Sequence, residues 1–256
     1  KKILSKIDLE KNNEDLIKVL YLQGILKKAE NNYDEAKTIF QKCLEIDKKF
    51  VNAYISLASI YKNENNFSEC INLLNKVIGI DGENSKAFLE LGIIYSHLGE
   101  VKKGISLLKK SLDIDPLNHE TKFNLSQMQI YCKELEDGWL NFRSRWYYHN
   151  FKSVPFKSSK KQLTNLNELR NVFIWAEQGI GDQIMYGSIF SEISKLSKNV
   201  TVKFDKRLIK IFKKKHKNIN FIDNNTEINE EQYDAHLPLG DLGYFFRKDE
   251  ESFNKV

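Results

Sequence analysis

Cysteine is scarce in this 256-residue chain, and Cys43, Cys70 and Cys132 stand singly. Disulfide frameworks and metal sites need their ligands at short recurring spacings, so neither is expected and no metal is assigned. Long apolar runs are missing too: none approaches the roughly 18 residues that a membrane span requires. The chain lacks the basic start and apolar core of a secretory leader, so a cytoplasmic protein is the expectation. The opening KKILSK carries no initiator methionine, which reads as a piece cut from something longer. A strong charge bias is absent as well. The formal net charge is +5, with 22 basic against 21 acidic residues before Phe151 and 18 against 14 after it. That balance gives no reason to expect nucleic-acid binding, and it leaves the second half a slight preference for anions.

What is present, first, is repetition. Steps of 34 from Ile17 align the chain with itself four times. A small residue recurs at Gly24, Ala58, Gly92 and Ser126, and a second at Ala36, Cys70, Gly104 and Gly138. A large apolar residue recurs at Phe40, Leu74, Leu108 and Phe142. Pro116 closes the third unit, since proline has no amide to continue a helix. Small residues let two antiparallel helices approach, and large ones fill the groove against the next pair. This spacing and residue choice resemble the tetratricopeptide repeat, from Ile17 to about His149.

On that pattern Cys70 takes a small contact position and Cys43 a packing one, so both are expected to be core thiols. His97 and His119 stand alone and are expected at the surface or in loops. The residues before Ile17, with Ile3, Leu4 and Ile7 on one face, are expected to be the second helix of an earlier repeat. The resemblance implies an inner wall made by the first helix of each pair, carrying Lys28 and Lys62 with Lys18 and Lys86 near them. Such a groove would take an acidic or polar segment of a partner; the alternative is that these lysines are only a solvated face. The asparagine ladder of protein O-GlcNAc transferases is missing, since only Asn124 fits it.

The fourth unit ends as GWLNFRSRWYYHNF. Trp139, Phe142 and Trp146 put bulky aromatics where a solenoid normally needs a polar cap, so the last helix is expected to dock on the domain after it. SVPFKSSKKQLTNLNELR then reads as an irregular connector. From Asn171 the periodicity changes. NVFIWA predicts a strand, and DQIMYGSIFSEISKL a single helix with Ile184, Ile189, Ile193 and Leu196 at helical spacing. NVTVKFD, INFIDN and YDAHLPL predict further strands, with KRLIKIFKKKH a helix between the first two. Alternating strands and helices predict a parallel sheet with right-handed crossovers. Ligands of such sheets lie at the carboxyl ends of the strands, where EQGIGD falls. Lys213, Lys214, Lys215 and Lys217 end the second helix, where cations suit the dipole. They read as a solvated helix end, with a phosphate site as the alternative. His236 and Asp234 are weaker candidates for the cleft.

A dinucleotide site would lack its third glycine, replaced by Ile184, although Asp205 could serve as its ribose acid. Asp182 at the helix start would repel a pyrophosphate. A P-loop would lack its lysine. The string instead resembles bacterial tetratricopeptide proteins that carry a heptosyltransferase-like glycosyltransferase domain of the GT-B fold. The residues behind this are the repeats, GW and RW near the seam, a strand running into WAEQGIGDQI, and YDAHLPLGDL.

The resemblance makes Gly181 and Asp182 the family's Gly-Asp pair, with Asp182 as catalytic base. A carboxylate within reach of an acceptor hydroxyl can take its proton. Gly179 and Gly181 would let the backbone turn tightly and a sugar approach. Gln178 and Gln183 would bond hydroxyls, and Glu177 would be a second acid–base group. Asp182 also suits a helix N-cap, and both readings stand. The family's nucleotide-sugar donor binds mainly in a second half beyond this chain, which is therefore expected to be inactive alone. No other cofactor is implied.

The expected domains are a partial repeat or cap at 1–16, four repeats at 17–150, a connector at 151–170 and a Rossmann-like half of GT-B type at 171–256. The class is thus an α-solenoid followed by α/β. The expected function is sugar transfer to a protein or glycan acceptor, the repeats binding the acceptor or a partner. The alternative is a non-catalytic interaction scaffold with an α/β appendage.

Overall fold

The computed structural model describes residues 13–165, 171–196 and 199–254. The expectations for Ile3, Leu4 and Ile7, and for the end of the connector at 166–170, lie outside the described residues. The chain divides into two compact units, Lys1–Thr121 and Lys122–Val256.

The first unit is three helix pairs: α1 (Asn13–Ala29) with α2 (Tyr33–Ile46), α3 (Val51–Asn63) with α4 (Phe67–Ile80), and α5 (Ser85–His97) with α6 (Val101–Ile114). Close approach within a pair is set where the sequence places small against large. A Cβ added to Gly24 would lie 2.5 Å from Cε1 of Phe40, and one added to Gly92 would lie 2.8 Å from Cγ of Leu108. Ala58 and Leu74, the equivalent residues of the second pair, are both buried. Cys43 and Cys70 are buried in the same core, as their repeat positions imply.

Two further devices recur at the same period. Asn31, Asn65, Gly99 and Lys133 all have positive φ, between 58° and 84°. Each ends the first helix of a pair, and the next amide reaches back to close the turn: Asn32 to the carbonyl of Lys27 (2.9 Å), Asn66 to Tyr61 (2.8 Å), Glu100 to Tyr95 (2.8 Å) and Glu134 to Gln129 (2.8 Å). This left-handed stop satisfies carbonyls that the helix end would strand. The corner between pairs is closed by Asp47, Asp81 and Asp115. Their carboxylates accept from the amides of Lys49 (2.8 Å), Glu83 (3.3 Å) and Leu117 (3.3 Å), a side-chain turn that aspartate makes readily.

The second unit contains a fourth pair, α7 (His119–Tyr131) and α8 (Leu135–Phe142), and a 3-10 turn at Arg143–Tyr147. Then come β1 (Asn171–Trp175), α9 (Ile180–Gly187), α10 (Phe190–Leu196), β2 (Asn199–Phe204), α11 (Lys206–Lys215), β3 (Ile219–Asp223), β4 (Ala235–Pro238) and α12 (Leu242–Phe246). The strands form one parallel sheet in the order β3-β2-β1-β4. In register, Val172 sits beside Val200 on one side and Ala235 on the other. Val172 to Trp175 are all buried, the continuous apolar run of a strand covered on both faces. One side of the sheet is packed by Phe190, Phe204 and Phe212, with ring centroids 5.1–5.8 Å apart. Phe156, Phe173, Trp175 and Tyr233 form a second cluster.

Two expectations change. The fourth pair belongs to the unit that holds the sheet rather than with the first three. The reason lies in the aromatics: Trp139 and Phe142 share a core with the strands, and a Cβ on Gly243 would lie 2.6 Å from the Trp139 ring. The helix after the glycines is two helices. The amides of Ser188 and Ile189 bond three residues back, to Met185 and Tyr186, and Ser188 Oγ also donates to the Met185 carbonyl (2.7 Å), which tightens and ends the first. The buried face then runs through Tyr186, Ile189, Phe190 and Ile193, leaving Ile184 and Leu196 exposed. No helix among the described residues is long and apolar enough to cross a membrane.

Candidate functional sites

The order β3-β2-β1-β4 puts the topological switch point between β1 and β4, and the crevice beyond their carboxyl ends is where such sheets take ligands. In this chain that crevice is filled by its own side chains. Glu177 follows β1, Asp241 follows β4, and Arg145 reaches both from the 3-10 turn after α8. Nη2 of Arg145 donates to both oxygens of Glu177 (2.9 and 2.8 Å) and to Oδ1 of Asp241 (2.7 Å). Arg143 Nε (3.2 Å) and Gln162 Nε2 (3.1 Å) donate to the other Asp241 oxygen. The Gly240 N–H donates to Glu177 (3.2 Å). The side chains of Arg145, Glu177 and Asp241 are at most 1% exposed.

The guanidinium also lies against the rings of Phe142 (4.4 Å) and Trp146 (4.5 Å), which hold it flat. Burial pushes the Glu177 carboxyl up to about 7, against the pull of Arg145. No sequence period flagged this network. Its three members lie 32 to 96 residues apart; the sequence marked Glu177 as an acid–base candidate and Arg145 in the RW near the seam, but nothing in it joined them to Asp241.

The turn residues have divided roles. Glu177 is spent inside the network. Gln183 is buried; its amide donates to the Gln178 carbonyl (3.1 Å) and its oxygen accepts the Asp205 N–H (2.8 Å), so it ties the ends of β1 and β2 together. The Gln178 side chain is half-exposed. Gly179 is the N-cap of α9 at φ −63°, a value open to any residue, and Gly181 has no atom within 4 Å of where a Cβ would stand. Neither needs glycine's backbone freedom. Asp182 is not the cap but the third residue of α9, half-exposed. Its carboxylate folds back over the helix start, 3.7 Å from where a Gly179 Cβ would sit. A negative charge is favoured there by the free amides of the first turn.

The remaining candidates of this half separate. Asp205 caps α11 and binds Arg207 (2.7 Å). His236 is buried and accepts from Trp175 Nε1 (3.2 Å), and burial holds its pKa below the ordinary value. Asp234 binds the amide of Asn171 (3.1 Å) at the start of β1, the opposite end of the sheet from the turn.

In the first unit the lysines of α1, α3 and α5 gather. Lys28 donates to Ser59 Oγ (2.7 Å), and Lys62 pairs with Glu90 (2.6 Å). Burial lowers the pKa of Lys28, the positive charges of Lys86 and Lys62 lower it further, and Glu90 opposes them. Lys18 stands apart from this group and pairs with Glu14 (2.9 Å) on its own helix.

Two tetratricopeptide-repeat family models match the chain, one over residues 28–91 and one over 85–116. No curated protein matches it. Similar solved structures include MamA from Desulfovibrio magneticus RS-1, at 20% identity over 56% of this chain and 79% of that one, TM-score 0.46. YrrB, described as a TPR protein with an unusual peptide-binding site, is similar at 21% identity over 55% and 72%, TM-score 0.46. The first TPR of Spaghetti (RPAP3), solved with an HSP90 peptide, is similar at 20% identity over 45% and 92%, TM-score 0.43. With helix pairs stepping at 34 residues and repeat models matching across 28–116, the helices of the first unit are tetratricopeptide repeats.

Proposed function

We propose that this chain is a protein-interaction scaffold whose repeats hold an acidic segment of a partner against Lys28, Lys62 and Lys86. The observation that carries this is the lysine group itself. Three ammoniums face one carboxylate, and Lys28 is half-buried with its charged form disfavoured. An incoming carboxylate offsets that cost, which surface lysines spread in water do not offer. Titration with a fluorescent glutamate-rich peptide tests it. Lys28→Glu with Lys62→Glu weakens binding by about ten-fold or more, and added salt weakens the native complex in the same direction. Unchanged affinity in the double variant sinks the proposal.

A second reading, sugar transfer from a nucleotide-sugar donor by a GT-B type enzyme, draws support from one feature. A parallel sheet presents a carboxylate, Asp182, on the first turn of the helix that follows β1, with Gly179, Gly181 and Gln178 beside it. A protein or glycan acceptor would approach there. Against it stand the crevice between β1 and β4, filled by Arg145, Glu177 and Asp241, and the internal use of Gln183. The scaffold reading therefore comes first. Its rival is tested by Asp182→Asn in a chain extended beyond Val256: transfer that the native carboxylate supports and the amide does not would reinstate it.

A further inference from the structure

We infer that the hollow between α10 and the end of α11 binds a phosphate group. Ser191, Ser194 and Lys195 line it from α10, and Lys215, His216, Lys217 and Asn218 from the turn into β3; it holds about 320 Å³. Three ammoniums, the Ser191 hydroxyl and the Asn218 amide thus border one small space as donors, while the Ser194 hydroxyl beside them donates to the Ser191 carbonyl (3.1 Å). The sequence shows the lysines of the KKKHK run, but not that Lys195 and two serines, about 20 residues earlier, meet them.

Charge balance points the same way. Among the described residues Lys195, Lys215 and Lys217 have no ion-pair partner. The acid of α10, Glu192, is committed to Arg247 through two bonds of 2.6 and 2.9 Å. Cations gathered around one hollow repel one another, and more strongly beside an apolar wall than in open water. That wall is present. His216 is buried, its ring stacked on Phe212 (6.1 Å, 16°) and edge-on to Phe190 (5.8 Å). The carboxyl end of α11 contributes about half a negative charge to the same place, which three lysines outweigh. A planar carboxylate would engage two oxygens, whereas phosphate offers enough acceptors to answer donors from several sides.

The experiment compares two double variants at low ionic strength. Lys195→Gln with Lys217→Gln removes ammoniums that line the hollow; Lys213→Gln with Lys214→Gln removes the same charge from the same helix end but outside it. Inorganic phosphate is titrated into each and followed by amide NMR shifts. The native chain saturates, the first variant binds about ten-fold more weakly or not at all, and the second stays within about two-fold. Absence of saturable binding in the native chain, or equal losses in both variants, overturns the assignment. Sedimentation with phosphatidylcholine vesicles, with and without phosphatidylinositol 4-phosphate, separates the two sources of the group. Co-sedimentation lost only in the first variant assigns a lipid headgroup, whereas phosphate binding without co-sedimentation assigns a soluble ester.

Discussion

Arg145 is the residue on which the second unit depends most sharply. It pairs with two buried carboxylates, and removing it leaves Glu177 with no cation and Asp241 with Arg143 alone. Arg145→Met is therefore expected to cost about 3–5 kcal/mol in urea unfolding, far more than an exposed pair. Adding Glu177→Gln and Asp241→Asn recovers part of that loss, because the charges that needed the arginine are gone. Gly240→Ala is the steric version of the same test, since its Cβ would fall 2.2 Å from a Glu177 oxygen.

The acid also gives a pH signature. In the unfolded chain Glu177 titrates near 4.5, and folded near 7. Between these the folded form holds the extra proton, so the contribution of Glu177 to stability is greatest at the acid end and is lost as pH rises through about 7. His216 and His236, whose folded pKa values are depressed, act oppositely: their contribution is lost as pH falls below the ordinary 6.5. Thermal unfolding from about pH 5 to pH 8 should show the Glu177→Gln chain losing the decline on the alkaline side while keeping the one on the acid side.

At the scale of elements, the left-handed stops make a prediction that packing alone would miss. Gly79 and Gly99 both have open space where a Cβ would stand. Gly79 lies inside α4, so Gly79→Ala should stabilise by up to about 1 kcal/mol. Gly99 has φ +84°, so Gly99→Ala should destabilise by about 1–2 kcal/mol although nothing touches the new methyl. Matched urea titrations decide it. The elements themselves were largely legible. Gly24 against Phe40 and Gly92 against Leu108 are contacts that a 34-residue step exposes, and the apolar runs from Asn171 gave every strand of the parallel sheet. The break at Ser188 was not legible. Ile184, Ile189 and Leu196 keep helical spacing straight through it, and only the hydrogen bonds of Ser188 and the packing of Gly187 against Phe212 show that the register shifts.

At the scale of the whole molecule, what escaped the sequence was anything assembled from distant positions. Period and alternation are local, while the Arg145 network and the α10–α11 hollow join residues whose spacing carries no signal. The turn EQGIGD was expected to bind a ligand, but that Glu177 and Gln183 are consumed internally depends on partners supplied by other elements. The cysteines offer a global readout. Burial raises the thiol pKa of both Cys43 and Cys70, the latter to about 11, whereas Cys132 is partly exposed. A chromogenic disulfide reagent should thus titrate Cys132 quickly in the native chain, and the other two only at the rate at which the first unit opens. Fast reaction of Cys43 or Cys70 would contradict the packed core.

The corners at Asp47, Asp81 and Asp115 carry a last implication. Each is secured by a carboxylate gripping its own chain two residues ahead, so its shape asks nothing of more remote sequence. A block of 34 residues can then be duplicated or excised with its joints intact, and the span of the array becomes a quantity that inheritance can adjust in whole steps without redesigning what remains.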